Sequence, residues 1–117
     1  MMNRIFNLHE RTEKFSLMVI ELAKQISENT ITKIFISQLV RAATSVGANY
    51  CEANNAISKR DFKNKIGICR KEAREVQYWL KMIGDTFSVF QKESAKLEIE
   101  AKELNLIFST IYQNTHS

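Results

Sequence analysis

In the stretch Ser58-Lys-Arg-Asp61-Phe62-Lys-Asn-Lys-Ile66-Gly67-Ile-Cys69-Arg-Lys-Glu-Ala73-Arg-Glu-Val76-Gln-Tyr-Trp-Leu80-Lys-Met-Ile83-Gly84, seven apolar or small residues recur in unbroken steps of four and three. They are Phe62, Ile66, Cys69, Ala73, Val76, Leu80 and Ile83. That spacing keeps every one of them on a single face of an α-helix, because 3.6 residues complete a turn. Ser58 stands where an N-cap is needed, Asp61 lies in the first turn where the helix dipole favours a carboxylate, and Gly84 suits a left-handed stop. A helix over 59–85 follows.

Working outward, the same rhythm recurs three more times. Leu8, Thr12, Phe15, Val19, Leu22 and Ile26 predict a helix over 8–27. Phe35, Leu39, Ala42, Val46, Asn49 or Tyr50, and Ala53 predict one over 31–56, with Asn29 or Thr30 as its cap after the break at Ser27-Glu28-Asn29-Thr30. Leu97, Ala101, Leu104, Phe108 and Ile111 predict a fourth over 89–113, with Ser88 and Gln91 as a capping box. Helices of about 20–27 residues would be roughly 30–40 Å long, and short connections between them force antiparallel neighbours. The expected architecture is all-α, an antiparallel up-down-up-down four-helix bundle forming one domain over 1–117. No internal repeat points to a solenoid.

Composition agrees. The chain has 117 residues, no proline and three glycines, so the punctuation of strands and hairpins is missing. Hydrophobic residues make up 44%, which is enough for a core at this length without metal or disulfide staples. The apolar runs are far shorter than the roughly 20 residues that cross a bilayer, and the N-terminal region lacks a signal-peptide core. With Cys51 and Cys69 both in helical segments, a reducing, cytoplasmic setting is expected.

The densest polar signal is basic. Lys59, Arg60, Lys63, Lys65, Arg70, Lys71 and Arg74 are opposed within the same span only by Asp61 and Glu72, a local excess of five where the whole chain carries +4. Arg60, Lys63, Gly67, Arg70 and Arg74 fall along one flank of the helix beside the apolar seam, with Lys71 adjacent. Such a stripe can track the phosphates of RNA or DNA, and Gly67 in its middle allows a strand or a neighbouring helix to come close. The competing reading is a solvated helix face, favoured by the absence of interleaved aromatics. Tyr78 and Trp79, off the main seam, are candidates for an oligomer interface, with a second core stripe as the alternative for Trp79.

A structural polar cluster is expected at the end of the second helix, where Asn49 and Glu52 lie two to three turns beyond Arg41. A buried glutamate needs a partner, and Arg41 is too far along its own helix to reach Glu52, so Lys63 or Lys65 is the better candidate. No catalytic residue, cofactor or metal site is expected. His9 and His116 are far apart in the chain, Glu72 and Glu75 flank an aliphatic seam, and Cys69 belongs to that seam. Arg4 and His9 share the spacing of a pair used by helical-bundle ribonucleases, but they lie at the start of the first helix, outside the later helix where those enzymes carry it. Chance spacing is the simpler reading.

The stretch Gln38-Leu-Val-Arg41-Ala-Ala-Thr-Ser45-Val-Gly47-Ala-Asn49-Tyr50-Cys-Glu52-Ala53, with Ala56-Ile-Ser58-Lys-Arg-Asp61-Phe62 and Lys65-Ile-Gly67-Ile, resembles the core of the bacterial four helix bundle protein family. Lys71-Glu72-Ala73-Arg-Glu75 and Tyr78-Trp79-Leu80 are similar to one branch of it. Members were first noticed as proteins encoded in intervening sequences within 23S ribosomal RNA genes. The family in turn resembles the accessory protein of diversity-generating retroelements, a basic pentameric bundle that binds nucleic acid and a reverse transcriptase. The resemblance implies a homo-oligomer, a pentameric ring, with RNA or DNA as partner, and brings no catalytic residues. This chain departs from many members in having Ala53 where they have glycine. Its fourth helix, from Lys92 to Glu103, is also less basic than in the retroelement proteins.

Overall fold

A computed structural model describes residues 7–116. Four helices follow one another: α1 (Leu8–Lys24), α2 (Thr30–Asn54), α3 (Lys59–Thr86) and α4 (Gln91–Asn114), with a single 3-10 turn at Ser88–Phe90 leading into α4. Each helix packs against the next, and α1 closes the ring against α4. This is the expected antiparallel four-helix bundle. Its longest dimension, 44 Å, is close to the length of the 28-residue α3 at about 1.5 Å per residue.

The seams point inward as their spacing requires. Ile66, Cys69, Ala73, Val76, Leu80 and Ile83 are buried on α3, facing Leu8, Phe15, Val19 and Leu22 of α1, Leu39, Ala42 and Val46 of α2, and Leu97, Ala101, Leu104 and Phe108 of α4 in one continuous core. Phe62, Phe35, Tyr50 and Ile111 pack at its margins. Two caps form as expected. Asn29 Oδ1 accepts from the backbone N–H groups of Ile31 and Thr32 while Thr32 Oγ1 accepts from Asn29 N–H, and Ser58 Oγ accepts from Asp61 N–H at 3.0 Å.

The ends differ by one to three residues, with α2 closing at Asn54 rather than at 56. Helix α1 stops at Lys24, three residues early, where Gln25 and Ile26 donate to Leu22 and Ala23 carbonyls in tighter turns that free the chain to reach the Asn29 cap. Ser88 and Gln91 form no capping box. Ser88 instead opens the 3-10 turn, whose geometry is held by Phe87 and Phe90 in edge-to-face contact at 6.2 Å on the bundle's margin. Gly84 is not a left-handed stop either, since no glycine among the described residues has a positive φ and α3 runs on to Thr86. What Gly84 supplies is room: a Cβ there would lie 3.2 Å from Cβ of Ser94, where α4 turns back across α3. Gly47 plays the same part between α1 and α2, where an added Cβ would sit 3.3 Å from Thr12 Oγ1.

The two thiols have opposite settings. Cys69 is fully buried with its Sγ 3.4 Å from the Val46 carbonyl, and burial pushes its pKa up to about 12. Cys51 is exposed on α2, 3.7 Å from Nδ1 of His9. We expect one thiol per chain to react with a disulfide reagent at pH 8 under native conditions and the second only in denaturant. Two fast-reacting thiols would contradict the packing of Cys69.

Candidate nucleic-acid interface

Ion pairs between helices decide which charges are left without a partner. Arg11 of α1 reaches across to α4, where its Nε and Nη2 donate to Glu100 at 2.7 and 2.8 Å and Nη2 also donates to Glu103 at 2.6 Å. Arg41 of α2 reaches α3, donating to Glu72 at 3.1 Å and to Glu75. Glu72 is the buried carboxylate among the described residues, and Arg41 is the guanidinium that compensates it. Glu75 also accepts from Trp79 Nε1 at 3.0 Å. Partial burial works against its ionisation, but the hydrogen bonds from Trp79 and Arg41 outweigh that and hold the carboxyl below its ordinary range.

This corrects the expected polar cluster. Glu52 is exposed, so it requires no partner from Lys63 or Lys65, and Asn49 turns back to its own helix, donating to the carbonyl and hydroxyl of Ser45, each at 2.9 Å. Arg41 does tether two helices, through Glu72 and Glu75 rather than near Glu52.

The consequence for the stripe is direct. Both glutamates of the central part of α3 share the single guanidinium of Arg41, which offsets one of their two charges, while Arg60, Lys63, Arg70, Lys71 and Arg74 make no ion pair among the described residues. At 3.6 residues per turn, Lys63, Gly67, Arg70 and Arg74 occupy the flank of α3 that meets α4. There the stripe acquires an aromatic that sequence spacing did not reveal. The Tyr112 ring lies over Gly67, where a Cβ would come within 3.0 Å of its Cε1. Arg70 Cζ stands 4.1 Å and Lys63 Nζ 4.8 Å from the Tyr112 centroid, both within cation–π range. Gly67 thus admits a side chain of α4, which in turn holds two of the cations in place. Asn105 of α4 adds a bond from Nδ2 to the Arg70 carbonyl at 2.8 Å.

Beyond Arg74 the flank continues into a groove of about 490 Å³ between α3 and α4, lined by Arg74, Gln77, Tyr78, Lys81, Glu98, Lys102, Asn105 and Leu106. Lys81, Lys102 and Asn105 are residues that the charge run alone did not bring in. Their membership comes from the packing of α4 on α3. Burial pushes the Glu98 carboxyl up despite the opposing charge of Lys81, and Lys81 itself pairs with Asp85 at 3.1 Å. Tyr78 is 57% exposed in this groove, whereas Trp79 turns toward α2 and packs 6.1 Å from Phe35, so the two neighbours have different surroundings.

The ribonuclease pair lies partly outside the described residues, since Arg4 is not among them. His9 is exposed at the start of α1 beside Cys51. Among the described residues no group of three or more His, Cys, Asp or Glu side chains could hold a metal ion, and no helix is long and apolar enough to cross a membrane.

Comparison with known proteins places this geometry. A solved structure of a protein of unknown function from the S23 ribosomal protein family of Bacteroides thetaiotaomicron superposes with a TM-score of 0.80 at 29% identity, covering 91% of this chain and 98% of that one. Among curated proteins, none matches this sequence. The profile of the 23S rRNA-intervening sequence proteins matches residues 6–110, a span that takes in the α3 stripe and most of α4, and this chain belongs to that family.

Proposed function

We propose that this protein is a non-enzymatic RNA- or DNA-binding bundle whose α3 flank, Arg60, Lys63, Arg70, Lys71 and Arg74, meets the phosphate backbone. The observation that carries the proposal is the disposition of the acids. Arg11 engages Glu100 and Glu103, and Arg41 engages Glu72 and Glu75, so these four carboxylates are turned to guanidiniums of other helices while the stripe makes no ion pair among the described residues. The competing scaffold reading has the basic flank meet Glu98, Glu100 and Glu103 of a neighbouring copy. Two of those three carboxylates already share Arg11, which offsets one of their two charges and leaves less for a neighbouring copy to meet.

Assembly into a homo-oligomer, a pentamer by the family resemblance, would multiply a modest patch into an avid one. With Tyr78 set among cations and Trp79 turned inward, exposed apolar side chains such as Leu17, Ile31 and Ile34 are better placed to join subunits.

The test is binding of a short structured RNA as salt is raised. Five phosphate contacts at a slope of about −0.9 each predict an affinity loss of several hundredfold between roughly 50 and 200 mM salt. A flat response would sink the proposal. The RNA should also be recovered at its original length, and cleavage that disappears in His9→Ala would replace this reading with an enzymatic one.

A further inference from the structure

Resting on the nucleic-acid reading above, we infer that the α3/α4 groove receives one unpaired base of the bound strand, stacked on Tyr78, so that the protein prefers single-stranded or looped segments to sugar-phosphate alone.

Three features converge on this groove. The first is a platform. Tyr78 is more than half exposed, yet its ring is braced at 80° against Trp79 with centroids 5.0 Å apart, and Trp79 is in turn anchored by Glu75 and Phe35. An aromatic ring that is exposed but held is what base stacking requires, because little side-chain freedom remains to be lost. The second is size. About 490 Å³ falls within the roughly 300–1,000 Å³ typical of small-ligand sites, enough for a nucleotide and too small for a helix.

The third is chemistry. Arg74 and Lys102 stand on opposite walls without ion pairs among the described residues, positioned to take phosphates on either side of a stacked base. Gln77 and Asn105 present amides to the same space. Asn105 uses one N–H on the Arg70 carbonyl, and among the described residues its oxygen has no hydrogen-bond donor, which leaves it to accept from a base edge. The groove is also continuous with the stripe. A strand whose backbone follows Lys63, Arg70 and Arg74 along α3 arrives at Tyr78 one turn further on.

The experiment compares three labelled probes of equal length on the full chain: a single-stranded oligouridylate, an abasic sugar-phosphate strand, and an RNA duplex. One stacked base predicts that the oligouridylate binds the wild type about 5- to 150-fold more tightly than the abasic strand. Tyr78→Ala should bring the two strands together while leaving abasic binding and its salt dependence as in the wild type, and Tyr78→Phe should restore the preference. Particle mass by light scattering should be the same for all three proteins.

Equal binding of base-containing and abasic strands by the wild type would overturn the inference and leave phosphate binding standing. A preference that survives Tyr78→Ala would overturn it too. So would a particle that dissociates on Tyr78→Ala, since Tyr78 would then be a subunit contact. Failure of every probe to bind in a salt-dependent way would remove the nucleic-acid reading and this inference with it.

Discussion

Replacing Arg70 and Arg74 together with glutamate should lower affinity for a short structured RNA by at least about a hundredfold at roughly 0.1 M salt. Each phosphate contact releases close to one counterion, so losing it costs nearly a factor of ten at that salt, and two lost contacts multiply. The reversed charges add repulsion. The salt slope should shrink by about two as well, which separates loss of contacts from loss of folded protein. Arg74 is exposed and Arg70 lies at the surface over Tyr112, so the fold should survive. Light scattering distinguishes the alternatives. An unchanged particle that no longer binds RNA fits the phosphate reading, whereas a particle that falls apart with RNA binding intact would mean that the flank joins subunits.

Pairing the reversal with Arg70→Lys/Arg74→Lys sharpens it. Lysine keeps the charge, so the salt slope should remain. Affinity should fall only modestly, because a lysine at 70 loses the broad guanidinium that lies over the Tyr112 ring.

Much of this site was legible before the structure, and what was missed has a common cause. The heptad seam of α3 gave the face that is buried and so the flank on which its charges lie, because helical phase is a local property that follows from spacing alone. Gly67 also signalled a close approach from within the sequence, since a glycine in mid-helix costs about 1 kcal/mol relative to alanine unless something uses the space. Its occupant, Tyr112, stands 45 residues later, and no periodicity on α3 points to it. Glu72 and Arg41 tell the same story. Glu72 sits between Cys69 and Ala73 in sequence, and the guanidinium that makes its burial tolerable comes from a different helix. Gly84 differs from its expected role for a related reason. A glycine near a helix end usually signals a left-handed residue, whereas here the demand comes from Ser94 across the turn. Phase within a helix could be read, but contact between helices could not.

Phe108→Ala should be among the most damaging single substitutions in the chain, costing about 3–5 kcal/mol of folding stability. The side chain is fully buried on α4, in the same core as Ile66, Leu80 and Leu104, and its ring lies 5.8 Å from that of Tyr50 on α2. Truncation loses the transfer free energy of the ring, leaves a cavity that rigid helices cannot close, and removes an aromatic pair worth about 0.5–1.5 kcal/mol by itself. With an unfolding entropy near 2.1 cal/mol/K per residue, a loss of ~4 kcal/mol should lower the melting temperature by about 15 °C. Ile99→Ala, at a side chain that is 70% exposed, should stay within about 0.5 kcal/mol of the wild type and serves as the control. A fall of only a few degrees for Phe108→Ala would mean that α4 is not seated on α3 and α1 as described. Tyr112 follows Phe108 by one turn on the same face, so its contact with Gly67 should loosen as well. The cations themselves sit on α3, however, so RNA binding by the fraction that remains folded should change far less than stability. That separation is what a phosphate-binding flank built on one helix and braced by another requires.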